Sequence, residues 1–287
     1  MSAGMFASSR SHFEEALALY DPISHRSLAY QVGIDPHVTS QTNLGIVLFC
    51  LGFPDQASAR RSAAVAEARK LAHPPSLAMS LGIATNGLLV GDNAALEKQV
   101  DEVVAVAAEQ GFSFYIASGT IQRGWLKVMN GDVAEGMSLL RSGSTAYRAI
   151  GQEAWMPYFI ALLAGACEIA GQVEEGLALL DDALQIAKRT GERWFAAELN
   201  RRKGELMLRQ GQSEAAEELY HQALSIAREQ EAKLWELRAA VSLARLGRDQ
   251  DRRAEAHDLL APVYSWFTEG FDTPDLKEAK ALLDELQ

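Results

Sequence analysis

Histidines and cysteines are the first places to look for metal binding or nucleophilic chemistry, and this chain has six of one and two of the other. His12, His25, His37, His73, His221 and His257 form no H-x-x-x-H or H-E-x-x-H arrangement, and none lies near Cys50 or Cys167 in sequence. Zinc needs several such ligands converging, so no metal site is expected. GxSxG is absent, and Ser113 and Ser118 have no histidine within a turn to act as base. The acid pairs Glu174-Glu175 and Asp181-Asp182 read as solvated residues of helix starts and polar faces. Arg201-Arg202-Lys203 and Arg252-Arg253 are too short to track a phosphate backbone. No glycine-rich phosphate loop or cyclase-like acidic pair occurs. The chain is therefore expected to have no catalytic residue and no cofactor, and not to be an enzyme.

What remains is recognition by aromatic and charged side chains, and that depends on the elements presenting them. Gly52, Gly91, Gly131, Gly171 and Gly211 recur about 40 residues apart, and Asp251 stands where a sixth would fall. Each follows an apolar run and precedes a second helical pattern, which is the signature of an α-solenoid. First helices are predicted near 37–51, 75–90, 113–130, 153–170, 193–210 and 232–246. Partners are predicted near 54–71, 93–110, 133–149, 173–189, 213–229 and 253–268. Gly111, Gly151 and Gly191 end helices at positions that favour positive φ, and Glu231 replaces that glycine in the fifth connection. Thr273-Pro274-Asp275 predicts the start of a capping helix whose stripe is Leu276, Ala279, Leu282, Leu283 and Leu286.

Small residues recur seven positions before each turn mark (Gly45, Ala84, Gly124, Ala164, Gly204, Ala244) and five after it (Ala57, Gly136, Gly176, Ala216, Ala256, with Leu96 in the second copy). Nine positions after it stand Val100, Leu140, Leu180, Tyr220 and Leu260, with Arg61 in the first copy. This alternation of small and large residues resembles tetratricopeptide repeats, here with helices about a turn longer. The expected fold is all-α: a tetratricopeptide-like α-solenoid, a right-handed superhelix of antiparallel helix pairs with a C-terminal capping helix. The boundaries expected are 1–35 for an N-terminal helix and loop, 36–269 for six helix pairs and 270–287 for the cap. A helix over 11–19 has no partner before it, and 21–37 reads as a loop.

Longer motifs extend the resemblance. LGFPDQAS at 51–58, QGFSFYIASGT at 110–120, RGWLK at 123–127, GQVEEGLALLDDAL at 171–184, TGERWFAAELNRRKGELML at 190–208 and LLAPVYSWFTEGFDTPDLKEAKALLDEL at 259–286 carry it. Across 11–286 the chain resembles the C-terminal helical repeat region of large bacterial signalling proteins. Those proteins join a class III cyclase or a protein kinase to an AAA-like predicted ATPase. The resemblance implies a protein-interaction or sensory module without catalysis of its own.

In repeats of this kind the first helices line the concave face, with positions 13, 10 and 6 before the turn mark pointing inward. These are Thr39, Thr42 and Ile46, then Ala78, Leu81 and Thr85, then Ser118, Ile121 and Trp125. Tyr158, Ala161 and Gly165 follow, and then Glu198, Arg201 and Glu205. The candidate groove is Trp125, Tyr158, Glu168, Glu198, Arg201 and Glu205, aromatic anchors beside charges that suit a peptide. The competing readings are Trp125 as packing between first helices and Arg201–Glu205 as an ordinary i,i+4 ion pair. Trp155 and Trp194 are expected to cover connections, and Trp235 and Trp266 to pack the terminal cap.

A formal charge of −11 opposes a general nucleic-acid binder. The absence of an 18-residue apolar run opposes a membrane span. Cysteines within apolar patterns suit buried thiols in a reducing, cytoplasmic setting. The expected partner is a protein or peptide. A sensor of small effectors and a self-associating homo-oligomer are the rival readings.

Overall fold

A computed structural model describes residues 1–85 and 93–287. The turn at Gly91 and the end of the helix predicted over 75–90 lie outside the described residues. Two compact units divide the chain. Ala7–Leu48 and Gln56–Glu153 form the N-terminal unit; Met1–Phe6, Phe49–Asp55 and Ala154–Gln287 form the C-terminal unit.

The N-terminal unit is built on α1 (Phe6–Leu19), α2 (Leu28–Val32), α3 (Pro36–Cys50), α4 (Pro54–Leu71), α5 (Pro74–Ala84), α6 (Asn93–Gln110), α7 (Ser113–Met129) and α8 (Val133–Ala149). α1 begins earlier than its apolar pattern suggests, and the stretch that reads as loop contains the short α2, stopped by Gly33 at φ 87°. Asp35 sets the start of α3: its Oδ1 accepts from the Val38 N–H at 2.9 Å and its Oδ2 from the Tyr20 hydroxyl at 3.1 Å. The small positions do what their spacing implies. A Cβ on Gly124 would lie 2.8 Å from the Gly136 carbonyl oxygen, so α7 and α8 meet at backbone contact. Arg61 stands where other copies place an apolar residue. It lies among the packed helices and donates to the Ala84 carbonyl at 3.2 Å, and burial pushes its guanidinium down to about 10.

The C-terminal unit stacks the pairs α9 (Met156–Ile169) with α10 (Val173–Thr190), α11 (Ala196–Arg209) with α12 (Ser213–Glu229), and α13 (Lys233–Asp249) with α14 (Arg253–Ser265). First helices neighbour first helices, α9 against α11 and α11 against α13. α15 (Pro274–Leu286) then closes the stack, burying Leu276, Ala279, Leu282, Leu283 and Leu286 against α13 and α14. Thr273 begins α15 with extended backbone, yet its hydroxyl donates back to the Gly270 carbonyl at 2.6 Å instead of capping the helix. Helix pairs of about 40 residues ending in a capping helix make this an all-α, tetratricopeptide-like solenoid.

α9 and α11 start about three residues later than predicted because a buried carboxylate holds the chain ahead of them. Glu192, 7% exposed, accepts the Trp155 N–H at 2.9 Å and the Trp194 indole N–H at 2.8 Å. Trp155 thereby sits at φ 69°, outside the helix. Burial raises the Glu192 carboxyl against these two hydrogen bonds. Trp194 covers its connection as expected, buried between Trp155 and Phe195 at ring distances of 4.9 and 5.1 Å.

Trp235 and Trp266 differ from expectation. Trp235 stacks edge-on to Phe49 and Phe195 and donates to the Trp194 carbonyl at 3.1 Å. Trp266 meets Phe53 at 5.5 Å. Both serve the segment Phe49–Asp55 rather than only the cap. That segment is fastened reciprocally: Asp55 N–H donates to Glu269 at 3.0 Å, and Gly270 N–H donates to Asp55 at 3.0 Å. Gly52 (φ 90°) leaves room for Trp266 and Lys233, whose atoms would lie 2.8 and 2.9 Å from a Cβ.

Candidate binding site

Five of the six candidate residues fall in the C-terminal unit and Trp125, partly exposed on α7, falls in the other. Tyr158 is fully buried, ringed by Trp155, Phe159, Trp194 and Phe195 at 5.4–6.3 Å. Its side chain forms part of the aromatic core beneath the first helices and presents no surface to a ligand, which corrects the expectation of a groove anchor. The same holds for Thr42, Ile46, Ala78, Leu81, Thr85, Ser118, Ile121 and Ala161, all buried. With helices this long, the predicted inward positions are consumed by packing. Glu168 pairs with Arg209 at 2.8 Å.

The charged end is different. Glu198, Arg201 and Glu205 follow one face of α11, and the structure brings them together. Arg201 reaches Glu198 at 2.6 Å, and it also pairs with Glu205 and lies 3.4 Å from the Ser242 hydroxyl. Glu198 bridges onward to Arg238 of α13 at 3.1 Å, and Arg238 grips Asp275 of α15 through two bonds of 2.7 and 3.0 Å. The Arg238 guanidinium also lies 5.1 Å from the Trp235 ring centre. Next to this chain of ion pairs, Arg245 pairs with Glu278. Burial alone would raise the Glu198 carboxyl, but Arg201 and Arg238 prevail and hold it down at about 2.

These side chains wall a cleft of about 300 Å³ on the first-helix face, lined by Arg201, Arg202, Glu205, Arg238, Arg245 and Asp275 among others. Sequence reading missed Arg238 and Arg245, although a signal existed. Arg238 is 40 residues beyond Glu198. Counting 13, 10 and 6 back from Asp251, the sixth turn mark, yields Arg238, Val241 and Arg245, and all three line the cleft. Where the fifth pair carries Glu198 and Glu205, the sixth carries arginines, so successive first helices are complementary. Asp275 and Glu278, which in sequence mark only the start of the cap, complete the wall from α15.

Among the described residues no group of histidine, cysteine, aspartate and glutamate could hold a metal ion, and no helix is long and apolar enough to cross a membrane. Cys50 and Cys167 are both buried.

Residues 157–229 match the tetratricopeptide repeat family. Over 234 residues the chain is 25% identical to an uncharacterized protein of Rhizobium meliloti, covering 80% of this chain and 23% of that protein. The chain thus spans about a quarter of the length of the curated relative it matches. Among solved structures it is similar to a Rap protein complexed with competence and sporulation factor (11% identity, TM-score 0.59, 98% of this chain and 84% of that one). It is also similar to a signal transduction ATPase with numerous domains and a tetratricopeptide repeat sensor, from Pyrococcus horikoshii (11% identity, TM-score 0.55, 98% and 43%). Yeast Tom70 has the fold as well (14% identity, TM-score 0.53, 98% and 58%).

Proposed function

We propose that this chain is a scaffold that binds a protein or peptide partner on the first-helix face of α11, α13 and α15, within a bacterial signalling protein. The observation that carries the reading is the charged cleft. Guanidinium groups on adjacent helices, braced by the buried Glu198 and the partly exposed Glu205 and Asp275, form a preorganised surface for a segment with acidic side chains. Arg201 and Arg238 are the braced floor; Arg202 and Arg245 are the contact residues. Glu205 and Glu278 favour a partner that also carries a cation, so the segment is of mixed charge.

The signalling setting rests on the resemblance of the long motifs to tails of cyclase and ATPase proteins, with residues 36–269 taken as the repeat body. Two similar folds point the same way, one complexed with competence and sporulation factor and one described as having a tetratricopeptide repeat sensor. A cleft walled by charge suits a peptide better than an apolar effector, whose sites are mostly hydrophobic. The test is retention of partners by the whole chain against the Arg202→Glu/Arg245→Glu variant, checked for equal helicity. The reading expects a partner held by the first and lost by the second, and held more weakly as salt rises. Equal retention by both overturns it.

A further inference from the structure

Arg238 joins the cleft to an aromatic layer that reaches back to the connections ahead of the first helices. Its guanidinium binds Asp275 through two bonds and Glu198 through a third, and it lies 5.1 Å from the centre of the Trp235 ring. Trp235 stands about one turn earlier on α13 and is fully buried. Its ring plane is set from outside its own helix, because the indole N–H donates to the Trp194 carbonyl at 3.1 Å. Trp194, 2% exposed, is fixed in turn by its own indole N–H, which Glu192 Oε1 accepts at 2.8 Å. The same carboxylate oxygen accepts the Trp155 N–H at 2.9 Å, so one atom ties two connections together.

Each indole is buried, and a buried N–H that loses its acceptor has no water to turn to. The rings are packed against one another: Trp194 meets Phe195 at 5.1 Å, and Phe195 meets Trp235 at 5.6 Å. A close-packed interior passes a displacement on rather than absorbing it. Without the Glu192 carboxylate the Trp194 indole is stranded, and its ring and carbonyl relax together. Trp235 then loses its fixed plane. Arg238 keeps its charge partners but loses the ring that holds their direction.

We infer that Glu192 is a positioning residue of the cleft, acting through Trp194 and Trp235 to hold the Arg238 guanidinium. The inference rests on the reading of the cleft as the binding surface, and it concerns a residue that does not line it.

The test follows the Arg238 Nε–H in proton–nitrogen spectra of the full chain, with the signal identified by its absence from Arg238→Lys. Glu192→Ala is expected to speed exchange of this proton with water at least about tenfold, while backbone amides of α12 and α14 keep their rates. Glu192→Gln keeps the acceptor and should leave the Arg238 signal in place. Trp235→Phe retains a ring but deletes the N–H that Trp194 accepts. It should act as Glu192→Ala does, and the double variant should exceed neither. Unchanged exchange at Arg238 in Glu192→Ala, acceleration shared equally by the amides of α12 and α14, or effects that add in the double variant would each overturn the inference. Should Glu192→Ala not fold, Trp235→Phe alone decides in the same way. This readout needs no partner, so a failed relay is told apart from a failed cleft, which Arg202→Glu/Arg245→Glu reports.

Discussion

Glu198 carries the residue-scale argument. It is 1% exposed and satisfied by two arginines from two helices. Glu198→Ala would remove the buried carboxylate that Arg201 and Arg238 share, leaving Arg201 with Glu205 and Arg238 with Asp275, and breaking a buried pair in this way costs up to about 3–5 kcal/mol. The denaturation midpoint of the variant should fall accordingly, while Glu168→Ala, at a more exposed pair, should move it little. Acid gives the same test without mutation. The folded carboxyl, held at about 2, lies below its unfolded value of about 4.3. Its stabilisation is present above about pH 4.3 and is lost as pH falls toward about 2. Urea midpoints across that window should drop in the wild type, and Glu198→Gln should lose this component of the drop.

Glu192 is the opposite case, since burial raises it and no cation pairs with it among the described residues. Its neutral form is favoured in the fold, so the associated stability is present below the unfolded value and declines as pH rises through the folded one. Glu192→Gln keeps an acceptor and should match or exceed the wild type at neutral pH. Glu192→Ala leaves the Trp155 N–H without its acceptor and should cost about 1–3 kcal/mol by thermal or urea unfolding.

At the scale of elements, the connections separate backbone conformation from packing. A Cβ on Gly111 (φ 70°) would meet nothing within 4 Å, whereas Gly52 (φ 90°) is closed in by Trp266, Lys233 and Phe267. Gly111→Ala should therefore lose only the left-handed backbone preference, about 1–2 kcal/mol. Gly52→Ala should lose that and a further overpacking cost of about 1–3 kcal/mol. Glu231, at φ 55°, already bears the conformational cost, so Glu231→Gly should stabilise by about 1 kcal/mol. Equal losses at Gly52 and Gly111 would contradict the packing described around Trp266.

The helices themselves are legible in the sequence because the repeat is a local rule. The turn glycines, the facing small residues at Gly124 and Gly136, and the apolar stripe of α15 each follow from spacing alone. Two features do not. The late starts of α9 and α11 depend on Glu192 reaching Trp155, 37 residues away in sequence. The inward positions follow from their offsets, but their exposure depends on how tightly neighbouring helices pack, which no offset encodes. Tyr158 is buried for that reason, while Arg201 and Glu205 keep one side open.

At the scale of the whole molecule, the surplus of acids is relieved at one place, where arginines and carboxylates of several helices meet. The formal charge is −11, yet Arg201, Arg202, Arg238 and Arg245 gather at one cleft. The C-terminal unit also takes in segments distant in sequence. Asp55 and Gly270 are joined across 215 residues, a contact that a nearest-neighbour repeat array does not predict. That contact accounts for the LGFPDQ and WFTEGFD motifs, which the repeat period leaves unexplained. The candidate site is half legible: Glu198, Arg201 and Glu205 stand out by offset, and Arg238 and Arg245 lie one repeat further along the same rule.

The most direct measurement is partner retention from a lysate of the native cell by the whole chain and by its Arg202→Glu/Arg245→Glu variant, at matched helicity and at low and raised salt. The account predicts a protein or peptide retained by the unaltered chain, released as salt rises, and absent from the variant. The same set retained by both, independent of salt, would contradict the cleft as the binding surface.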